Sequence, residues 1–379
     1  MNGNLALPAD WRATQKRVSG KLLAWYRKAQ RDLPWRRTRD PWAIWVSEIM
    51  LQQTQVLTVQ GYYARFMKRF PTVEALAGAD LQAVLALWAG LGYYRRAKHL
   101  YAAAREVVEK HGGVMPATAA ALRTLPGVGR YTAAAIASIA YGESVAVLDG
   151  NVMRALARLG AINGDISKTI TQHLLWQMAE SLVPAAPDAG DHNQALMELG
   201  ALICTPQGPR CGSCPVRECC RARAQGVQEN LPVKGAKKAV ETLRQSVLVV
   251  RDGRGAVLVL QRPEGGLWEQ LWEFPVLPAV VNSRGKLADV IHKVLGLALR
   301  RVARAGSVEH ALTHRHMVYQ VYTSVCVESE PRVRLPRCGN AEATYLAWRW
   351  LSPAELRAGA VPLAAVVYKI AAVAEIGSR

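Results

Sequence analysis

The stretch LRTLPGVGRYTAAAIASIAYG, residues 122–142, decides the fold of the N-terminal half of this chain. Two helical segments are separated by a tight LPGVG turn, in which Gly127 and Gly129 permit a sharp bend and leave backbone N–H groups exposed. Arg130 begins the next helix, whose N-terminal dipole favours an anion. The pattern predicts a helical hairpin that binds a phosphate group, although an ordinary helix–helix turn shares these features.

Outward from the hairpin, residues 12 to about 225 continue as helices rich in Ala and Leu, and strand patterns are scarce. A polar, basic run, VQENLPVKGAKKAVETLRQ, follows and is typical of a solvated linker. Later apolar runs predict strands over SVLVV, AVLVLQR, MVYQVYTSVCV and TYLAWRWL, and helices over KLADVIHKVLGLAL and PLAAVVYKIAAVAE. We therefore expect a multidomain protein, with an all-α domain over 1–225, a linker over 226–243 and an α+β domain over 244–379.

Composition limits the class of protein. A chain of 379 residues with 50% hydrophobic residues is large enough for two globular domains. Its formal charge of +19 favours a polyanionic partner such as nucleic acid, although a basic surface can serve solubility alone. The N-terminus has no apolar signal region, and no long uncharged apolar window occurs. These features predict a soluble cytoplasmic protein without membrane association, nucleoid-associated if bacterial.

Five of the seven cysteines lie in CTPQGPRCGSCPVRECC, residues 204–220. In a reducing cytoplasm, clustered cysteines indicate a metal or redox centre more than a disulfide framework. The spacing leaves both an iron–sulfur cluster and structural zinc open, because four cysteines within tetrahedral reach can hold a zinc ion.

Two carboxylates are candidates for acid–base chemistry. Asp149, in VAVLDGNVMRALARL, begins a helix, and backbone N–H bonds are expected to lower its pKa and keep it ionised. Glu48, in DPWAIWVSEIMLQQTQV, has apolar neighbours on its helix face, and burial is expected to raise its pKa; these neighbours are Ile44, Trp45 and Leu51. Such a pair suits the cleavage of a glycosidic bond. A simple helix cap and a solvated Glu are the plainer interpretations.

The hairpin, Asp149 and the spacing Cys204-x6-Cys211-x2-Cys214-x5-Cys220 together resemble the helix-hairpin-helix DNA glycosylases of the endonuclease III superfamily. VSEIMLQQTQV, GLGYYRRA and DHNQALMELGALIC narrow this resemblance to the MutY family of adenine DNA glycosylases, over about residues 30–225. Residues 244 to about 375 are similar, more weakly, to the MutT-like Nudix domain of that family. The resemblance implies a monomer that excises adenine opposite 8-oxoguanine or guanine in double-stranded DNA, as part of base excision repair.

The resemblance also implies roles for the candidate residues. Glu48 would protonate the adenine ring and Asp149 would stabilise the sugar cation, with Asn151 and Tyr131 as their partners. Related bifunctional enzymes carry lysine at the position of Tyr131, whereas residues 111–167 contain no lysine. Because Schiff-base attack on the sugar needs an amine, a monofunctional glycosylase without strong lyase activity is predicted.

The base to be excised must leave the duplex, so the family has a pocket for it and residues that fill the gap it leaves. The positions that match the adenine pocket are Trp35, Arg36, Leu51 and Gln194. Those that match the surroundings of the opposing base are Gln53, Leu91 and Tyr93. For the apolar members, packing in a core is the plainer interpretation.

For the cysteines, the resemblance implies a 4Fe-4S cluster on Cys204, Cys211, Cys214 and Cys220. The negative charge of such a cluster would organise nearby arginines for contact with DNA phosphates; these are Arg210, Arg217, Arg221 and Arg223. Cys219 is left over, and a spacing of four residues from Cys214 to Cys219 is the alternative that the sequence leaves open.

The Nudix-like half is predicted to bind and not to cleave. Metal-dependent Nudix hydrolysis needs an acidic helix, but RGKLADVIHKVLGLALRR contains one Asp and no Glu. HALTHRH matches the F-S-H loop with which the family reads 8-oxoguanine, and supplies His310, Leu312, Thr313 and His314. Compared with that loop, Leu312 replaces the phenylalanine and removes its aromatic face, whereas Thr313 replaces the serine and keeps a hydroxyl group. A solvated loop is the plainer interpretation of the two histidines.

Three other functions fit parts of the pattern. They are an endonuclease III-like lyase for oxidised pyrimidines, a mismatch-binding iron–sulfur protein without catalysis, and a Nudix nucleotide hydrolase. The sequence does not identify whether the protein has a protein partner.

Overall fold

The computed structural model describes residues 7, 11–235, 240–277, 284–328, 332–338 and 344–376, without the side chains of residues 284–286 and 288. Residues 236–239 of the predicted linker lie outside this part of the chain. The chain forms two compact units, one of Met1–Gly78 with His99–Lys237 and one of Ala79–Lys98 with Lys238–Arg379. None of the helices in the described ranges combines the length and apolar character that a membrane crossing requires.

The helices, in chain order, are α1 (Trp11–Ala29), α2 (Pro41–Leu51), α3 (Val56–Arg69), α4 (Val73–Ala77), α5 (Leu81–Trp88), α6 (Arg95–His111), α7 (Ala119–Leu122), α8 (Arg130–Tyr141), α9 (Gly150–Gly160), α10 (Thr169–Leu182), α11 (Ala189–Leu202), α12 (Arg221–Ala224), α13 (Arg284–Leu295), α14 (Pro353–Ala358) and α15 (Ala365–Val373). Helix α5, the first turn of α6 and α13–α15 belong to the second unit.

The hairpin consists of α7, the LPGVG turn and α8. Gly127 has φ +73°, and a Cβ atom added there would lie 2.4 Å from the Cβ of His99. Only glycine meets both conditions without strain. Gly129 is the N-cap of α8 and offers no side chain to its first N–H groups. The turn therefore leaves the start of α8 free of a side-chain cap.

The core of the first unit is built around α2, α8, α9 and α11, which pack against one another. Helix α2 begins at an Asp40 cap and is buried along most of its length, including Trp45 and Met50. Helices α9 and α11 approach closely because Gly200 has no side chain, and a Cβ there would lie 2.6 Å from that of Asn151. This packing brings the start of α9 against the middle of the bundle.

The second unit contains a mixed sheet. Its strands are β1 (Glu241–Arg251), β2 (Val257–Gln261), β3 (Trp272–Glu273), β4 (Val276–Leu277), β5 (Leu299–Ala311), β6 (Arg315–Cys326) and β7 (Ala347–Leu351). The order is β3-β2-β1-β6-β5, with β4 paired to β1 and β7 to β2. β1 and β6 are parallel and in register from Glu241↔Arg315 to Arg251↔Val325, whereas the other pairs are antiparallel. Helix α13 packs its apolar face, including Leu287 and Ile291, into the core beside this sheet.

Two sequence predictions for this unit need correction. The helix predicted over KLADVIHKVLGLAL ends at Leu295, because Gly296 adopts φ +74° and terminates it. The long strand β5 then begins at Leu299 and was not predicted. Most of its side chains are exposed or half-buried, so its sequence lacks the apolar alternation that marks a strand.

Residues 79–98 pack with the sheet unit through several polar contacts. Tyr94 donates a hydrogen bond from Oη to the Leu363 carbonyl at 3.2 Å. The Trp272 indole donates to Gln82 Oε1 at 3.2 Å. Lys98 also pairs with Glu269 at 3.3 Å. These contacts hold the GLGYY turn in the second unit.

Candidate active site

A cavity of about 960 Å³ lies within the first unit. Twelve of the residues predicted to form the site line it: Trp35, Arg36, Glu48, Leu51, Gln53, Gly127, Gly129, Arg130, Tyr131, Asp149, Asn151 and Gln194. The fold thus brings residues from the turn before α2, from α2 itself, from the hairpin, and from α9 and α11 to one space. The cavity is large enough for a nucleoside-sized ligand.

Glu48 lies on α2 with only 6% of its surface exposed. The Tyr131 hydroxyl donates a 2.7 Å hydrogen bond to its Oε2. Burial raises the pKa of Glu48 to about 7, and the nearby Asp149 carboxylate adds to this, whereas Tyr131 and Arg36 act in the opposite direction. As the apolar surroundings predicted, a substantial fraction of this carboxyl group carries a proton near neutral pH.

Asp149 is the N-cap of α9. Its Oδ1 accepts a 2.7 Å bond from the Val152 backbone N–H, and its Oδ2 accepts a 3.1 Å bond from Asn151 Nδ2. The prediction that Asp149 has a lowered pKa is wrong in direction, although these bonds act as expected. Burial of the carboxylate raises the pKa and outweighs the N–H bonds and the charge of Arg154, which lower it.

The two carboxylates nevertheless have different surroundings. Glu48 accepts one hydroxyl hydrogen bond. Asp149 accepts from a backbone amide and a side-chain amide, and it lies within the field of Arg154. Donors of this kind stabilise an anion more than a neutral acid. The geometry therefore favours Glu48 as the proton carrier and Asp149 as the anion of the pair.

Arg154 connects the start of α9 to the cysteine segment. From this buried side chain, Nη2 donates to Asn151 Oδ1 at 2.8 Å, and Nε donates to the Cys204 carbonyl at 2.7 Å. One turn later, Arg158 donates to Cys204 Sγ at 3.3 Å and to the Thr205 carbonyl at 2.7 Å. The segment that begins at Cys204 is thus bound to the helix that presents Asp149.

The predicted pocket residues line the same cavity as the hairpin. Trp35 is buried and packs edge-on against Tyr63, with ring centroids 5.2 Å apart. Gln194, on α11, is also buried. Leu51 ends α2, and Gln53 follows it with φ +55°, in the left-handed region that non-glycine residues seldom adopt.

Arg130 is engaged within the protein. Its guanidinium group pairs with Glu180 and lies 3.7 Å from the Trp176 ring centroid. An anion at the hairpin would therefore meet the backbone N–H groups at the start of α8, because the charge of Arg130 is already paired with Glu180.

The four cysteines predicted to bind a cluster line one small cavity of about 20 Å³, together with Arg158, Arg217 and Arg223. Cys219 is not among its lining residues. Among the described residues, no three His, Cys, Asp or Glu side chains form a group that could hold a metal ion. A 4Fe-4S cluster spreads its four thiolates over four iron atoms, so its ligands need not meet at one point. The donor set and the surrounding arginines fit such a cluster.

The predicted lesion-reading residues lie in the second unit. Leu312, Thr313 and His314 form the turn between β5 and β6, closed by a bond from Leu312 N to the Arg315 carbonyl at 2.8 Å. His310 lies on β5, where its ring is 5.8 Å from that of Trp268. His310 is half-buried on a strand and so does not belong to a solvated loop, and burial and Lys369 lower its pKa.

The GLGYY turn contributes to the same unit. Tyr93 is 43% exposed, has φ +50°, and shares a 2.7 Å hydrogen bond between its Oη and Thr313 Oγ1. The Arg96 guanidinium lies 5.4 Å from the Tyr93 ring centroid. Leu91 is buried, with 6% of its surface exposed. Tyr93 is thus available at the surface, whereas Leu91 packs inside.

Comparison with known proteins decides the family. The chain is 40% identical over 403 residues to the adenine DNA glycosylase of Homo sapiens, covering 91% of this chain and 72% of that protein. It is 40% identical over 383 residues to the adenine DNA glycosylase of Mus musculus, covering 86% of this chain and 73% of that one. The chain belongs to the adenine DNA glycosylase family.

Each half also matches a domain family. Residues 46–181 match the HhH-GPD superfamily of base excision DNA repair proteins, and residues 246–373 match the NUDIX domain. A solved thermostable thymine-DNA glycosylase is 31% identical with a TM-score of 0.52, covering 57% of this chain and 99% of that one. The predicted family and the two-domain fold class are confirmed.

Several cavity residues of this adenine DNA glycosylase family member were missed by sequence reasoning: Arg31, Arg154, Glu198 and Lys234. Glu198 lies inside the quoted DHNQALMELGALIC segment, but a single Glu on a helix carries no local signal of its partners. Lys234 follows the cysteine segment, in a stretch predicted to be linker. The Val233 carbonyl accepts from Ile166 N at 3.0 Å and anchors this stretch to the bundle.

Proposed function

We propose that the protein hydrolyses the N-glycosidic bond of adenine mispaired with 8-oxoguanine or guanine in duplex DNA. The observation that carries this proposal is that Glu48 and Asp149 line one cavity. Burial favours the protonated form of Glu48, whereas N–H donors to Asp149 favour its ionised form. Glu48 donates its proton to a ring nitrogen of the extruded adenine, which turns a poor leaving group into a neutral one. Asp149 remains an anion beside the sugar.

As the base departs, positive charge develops on the deoxyribose, and the Asp149 carboxylate stabilises it. Asn151 fixes the orientation of Asp149, and Tyr131 fixes that of Glu48. A water molecule then adds to the sugar and leaves an abasic site. The family assignment and the basic charge of the chain support duplex DNA as the substrate.

The reader of the opposing base is assigned to the second unit. The hydrogen bond between Tyr93 and Thr313 supports this assignment, because it joins two residues that were predicted independently to lie beside that base. The Thr313 hydroxyl can also donate to a purine acceptor. Leu312 supplies apolar contact in place of an aromatic face, so we expect weaker stacking on the lesion than a phenylalanine would give.

Cys204, Cys211, Cys214 and Cys220 are proposed to hold a 4Fe-4S cluster, which a reducing cytoplasm would keep loaded. When bound, the cluster supplies a fixed negative charge and a rigid fold to the cysteine segment. Arg158, Arg217 and Arg223 line the cysteine cavity and can balance that charge. Arg217 and Arg223 are exposed and suit phosphate contact, whereas Arg158 is buried. A broad visible absorption band would identify the cluster, and its absence with one bound zinc per chain would refute it.

The test of the activity is adenine release from duplexes with a central adenine opposite 8-oxoguanine or guanine. Adenine opposite thymine and a thymine-glycol duplex serve as controls. We expect free adenine from the two mispairs, with strand breaks only after alkali. Breaks without alkali at thymine glycol would support a lyase for oxidised pyrimidines instead. Tight binding of the mispair without release of adenine, by wild type and Glu48→Gln alike, would support a binding protein.

Monofunctional chemistry needs its own control, because Lys234 lines the cavity although the hairpin carries no lysine. An amine near the abasic aldehyde can form a Schiff base that borohydride traps. We expect little trapped complex from wild type, and any that forms should disappear in Lys234→Gln. Efficient trapping in both proteins would contradict the monofunctional assignment.

A further inference from the structure

Glu198 lies on α11 in the wall of the cavity and has no part in the chemistry described above. Its side chain is only 1% exposed. It accepts five hydrogen bonds, from Arg31 backbone N at 3.1 Å, Arg31 Nε at 2.8 Å, Arg31 Nη2 at 2.6 Å, Arg36 Nη1 at 3.0 Å and Arg36 Nη2 at 2.8 Å. One carboxylate thus binds two guanidinium groups, each through two donors.

This carboxylate cannot serve as the acid of the reaction. Burial alone would raise its pKa, but the hydrogen bonds from Arg31 and Arg36 dominate and lower the pKa to about 2. Glu198 is therefore ionised at neutral pH. It can influence the reaction only through the residues that it holds.

Arg36 transmits that influence. Its side chain is 10% exposed, its Nη1 also donates to the Arg31 carbonyl at 3.2 Å, and its guanidinium lies 5.4 Å from the Tyr26 ring centroid. Its position is therefore fixed on several sides. Its positive charge favours the ionised form of Glu48 and so lowers the pKa of that group.

The polar and charged groups that face Glu48 come from three directions. Tyr131 faces it from α8, Asp149 from the start of α9, and Arg36 from the turn before α2. The cluster behind Arg36 has two guanidinium charges and one carboxylate charge, which leaves one net positive charge. Without the Glu198 carboxylate, two uncompensated positive charges would act on the acid.

Building on the proposed function, we propose that Glu198 is a positioning residue for base excision. It fixes the guanidinium groups of Arg31 and Arg36 in the wall of the cavity that also holds Glu48, and it compensates one of their two positive charges.

A charge series in the full-length, cluster-loaded protein tests this role. Glu198→Gln leaves two net positive charges in the cluster, wild type and the double variant Glu198→Gln with Arg31→Gln leave one, and Arg31→Gln leaves none. Single-turnover release of adenine from an adenine:8-oxoguanine duplex is followed against pH. The alkaline limb is the part of the profile in which the rate falls as pH rises. For Glu198→Gln this fall should occur at a pH about half to one unit lower than for wild type, which is typical of one charge in a partly buried site.

The other variants test whether the pH of the alkaline limb follows the net charge of the cluster. Arg31→Gln should move the limb above that of wild type, and the double variant should return it to the wild-type position. A merely structural role would lower the rate of each variant without this order. Glu106→Gln is the matched control, since Glu106 pairs with Lys110 at 2.8 Å on the surface of α6, and its profile should equal that of wild type.

Two results would overturn the proposal. One is a limb for folded Glu198→Gln that coincides with wild type, and the other is a double variant that is not restored. If Glu198→Gln does not fold, the proposal is still tested by the pH of the alkaline limb in Arg31→Gln and in the double variant, each compared with wild type. Infrared titration of the Glu48 carboxyl band against Glu48→Gln reports the same order without catalysis. A wild type that releases no adenine would therefore refute the proposed function but leave this inference testable.

Discussion

The Tyr131 hydroxyl donates a 2.7 Å hydrogen bond to Oε2 of Glu48 and thereby joins the hairpin helix to α2 inside the cavity. A phenol that donates to a carboxylate stabilises the anion and works against burial, which favours the neutral acid. The Glu48 pKa of about 7 is the outcome of this opposition. The acid is thus poised near neutrality, where proton donation is efficient.

Tyr131→Phe should move the alkaline limb of adenine release upward. Without the hydroxyl donor, burial dominates further and the Glu48 pKa rises. A hydrogen bond of ordinary strength corresponds to about half to one pH unit. Single-turnover rates against pH check this shift, which is opposite in sign to that expected for Glu198→Gln. A limb that stays at the wild-type position would show that the hydroxyl does not control the protonation of Glu48.

Glu48→Gln should abolish most activity and stabilise the fold at alkaline pH. Because the pKa of Glu48 is raised from 4.5 to about 7 on folding, ionisation destabilises the native state progressively as pH rises between these values. Glutamine avoids this cost, so the gain in unfolding free energy should be about 2 kcal/mol larger at about pH 8 than at about pH 5. Removal of the acid should slow excision at least about 100-fold. Denaturation at both pH values checks the stability, and an equal gain at both would contradict the buried acid.

Local sequence was sufficient for the parts of the site that depend on local geometry. The LPGVG turn, the cap at Asp149 and the apolar setting of Glu48 each follow from residues within one or two turns of chain. The family motifs extend these short patterns to the whole bundle. The sheet was predicted only in part, because β5 exposes most of its residues and carries no apolar alternation.

The rest of the site depends on contacts that no local pattern contains. Glu198 lies 167 positions along the chain from Arg31, so its role emerges only when the bundle closes. The sign of the Asp149 pKa shift was missed for the same reason. Its N–H donors are encoded nearby, whereas the burial that outweighs them comes from other helices. Burial of a charge is a property of the assembled cavity.

Arg154 and Arg158 lie one turn apart on α9 and should have separable functions. Arg154→Gln removes the bond to Asn151 and should lower the excision rate at least about tenfold, because a buried network loses its donor to a group beside Asp149. Arg158→Gln loses its contacts with Cys204 Sγ and the Thr205 carbonyl, and so should mainly reduce bound iron. Iron content and single-turnover rate, measured on both variants, check this division. Equal loss of iron in both would show that Arg154 acts only through the cysteine segment.

His192 should make the fold sensitive to acid. It is fully buried on α11, both ring nitrogens lack a hydrogen-bond partner within the described part of the chain, and burial lowers its pKa to about 4. The unfolded chain binds a proton near its ordinary pKa of 6.5, so stability is lost as pH falls from there towards about 4. His192→Phe removes this linkage. The difference in unfolding free energy, His192→Phe minus wild type, should therefore be about 2 kcal/mol larger at about pH 5 than at about pH 7.5.

The comparison between the two pH values separates this effect from repacking, because a larger ring changes packing equally at both. Unfolding followed by loss of helical circular dichroism reports mainly on the first unit, which contains α11. His173→Phe is the matched control, since His173 lies on α10 and is exposed to a greater degree. Its stability relative to wild type should change little with pH. A His192→Phe profile parallel to that of wild type would mean that the imidazole is protonated within the fold.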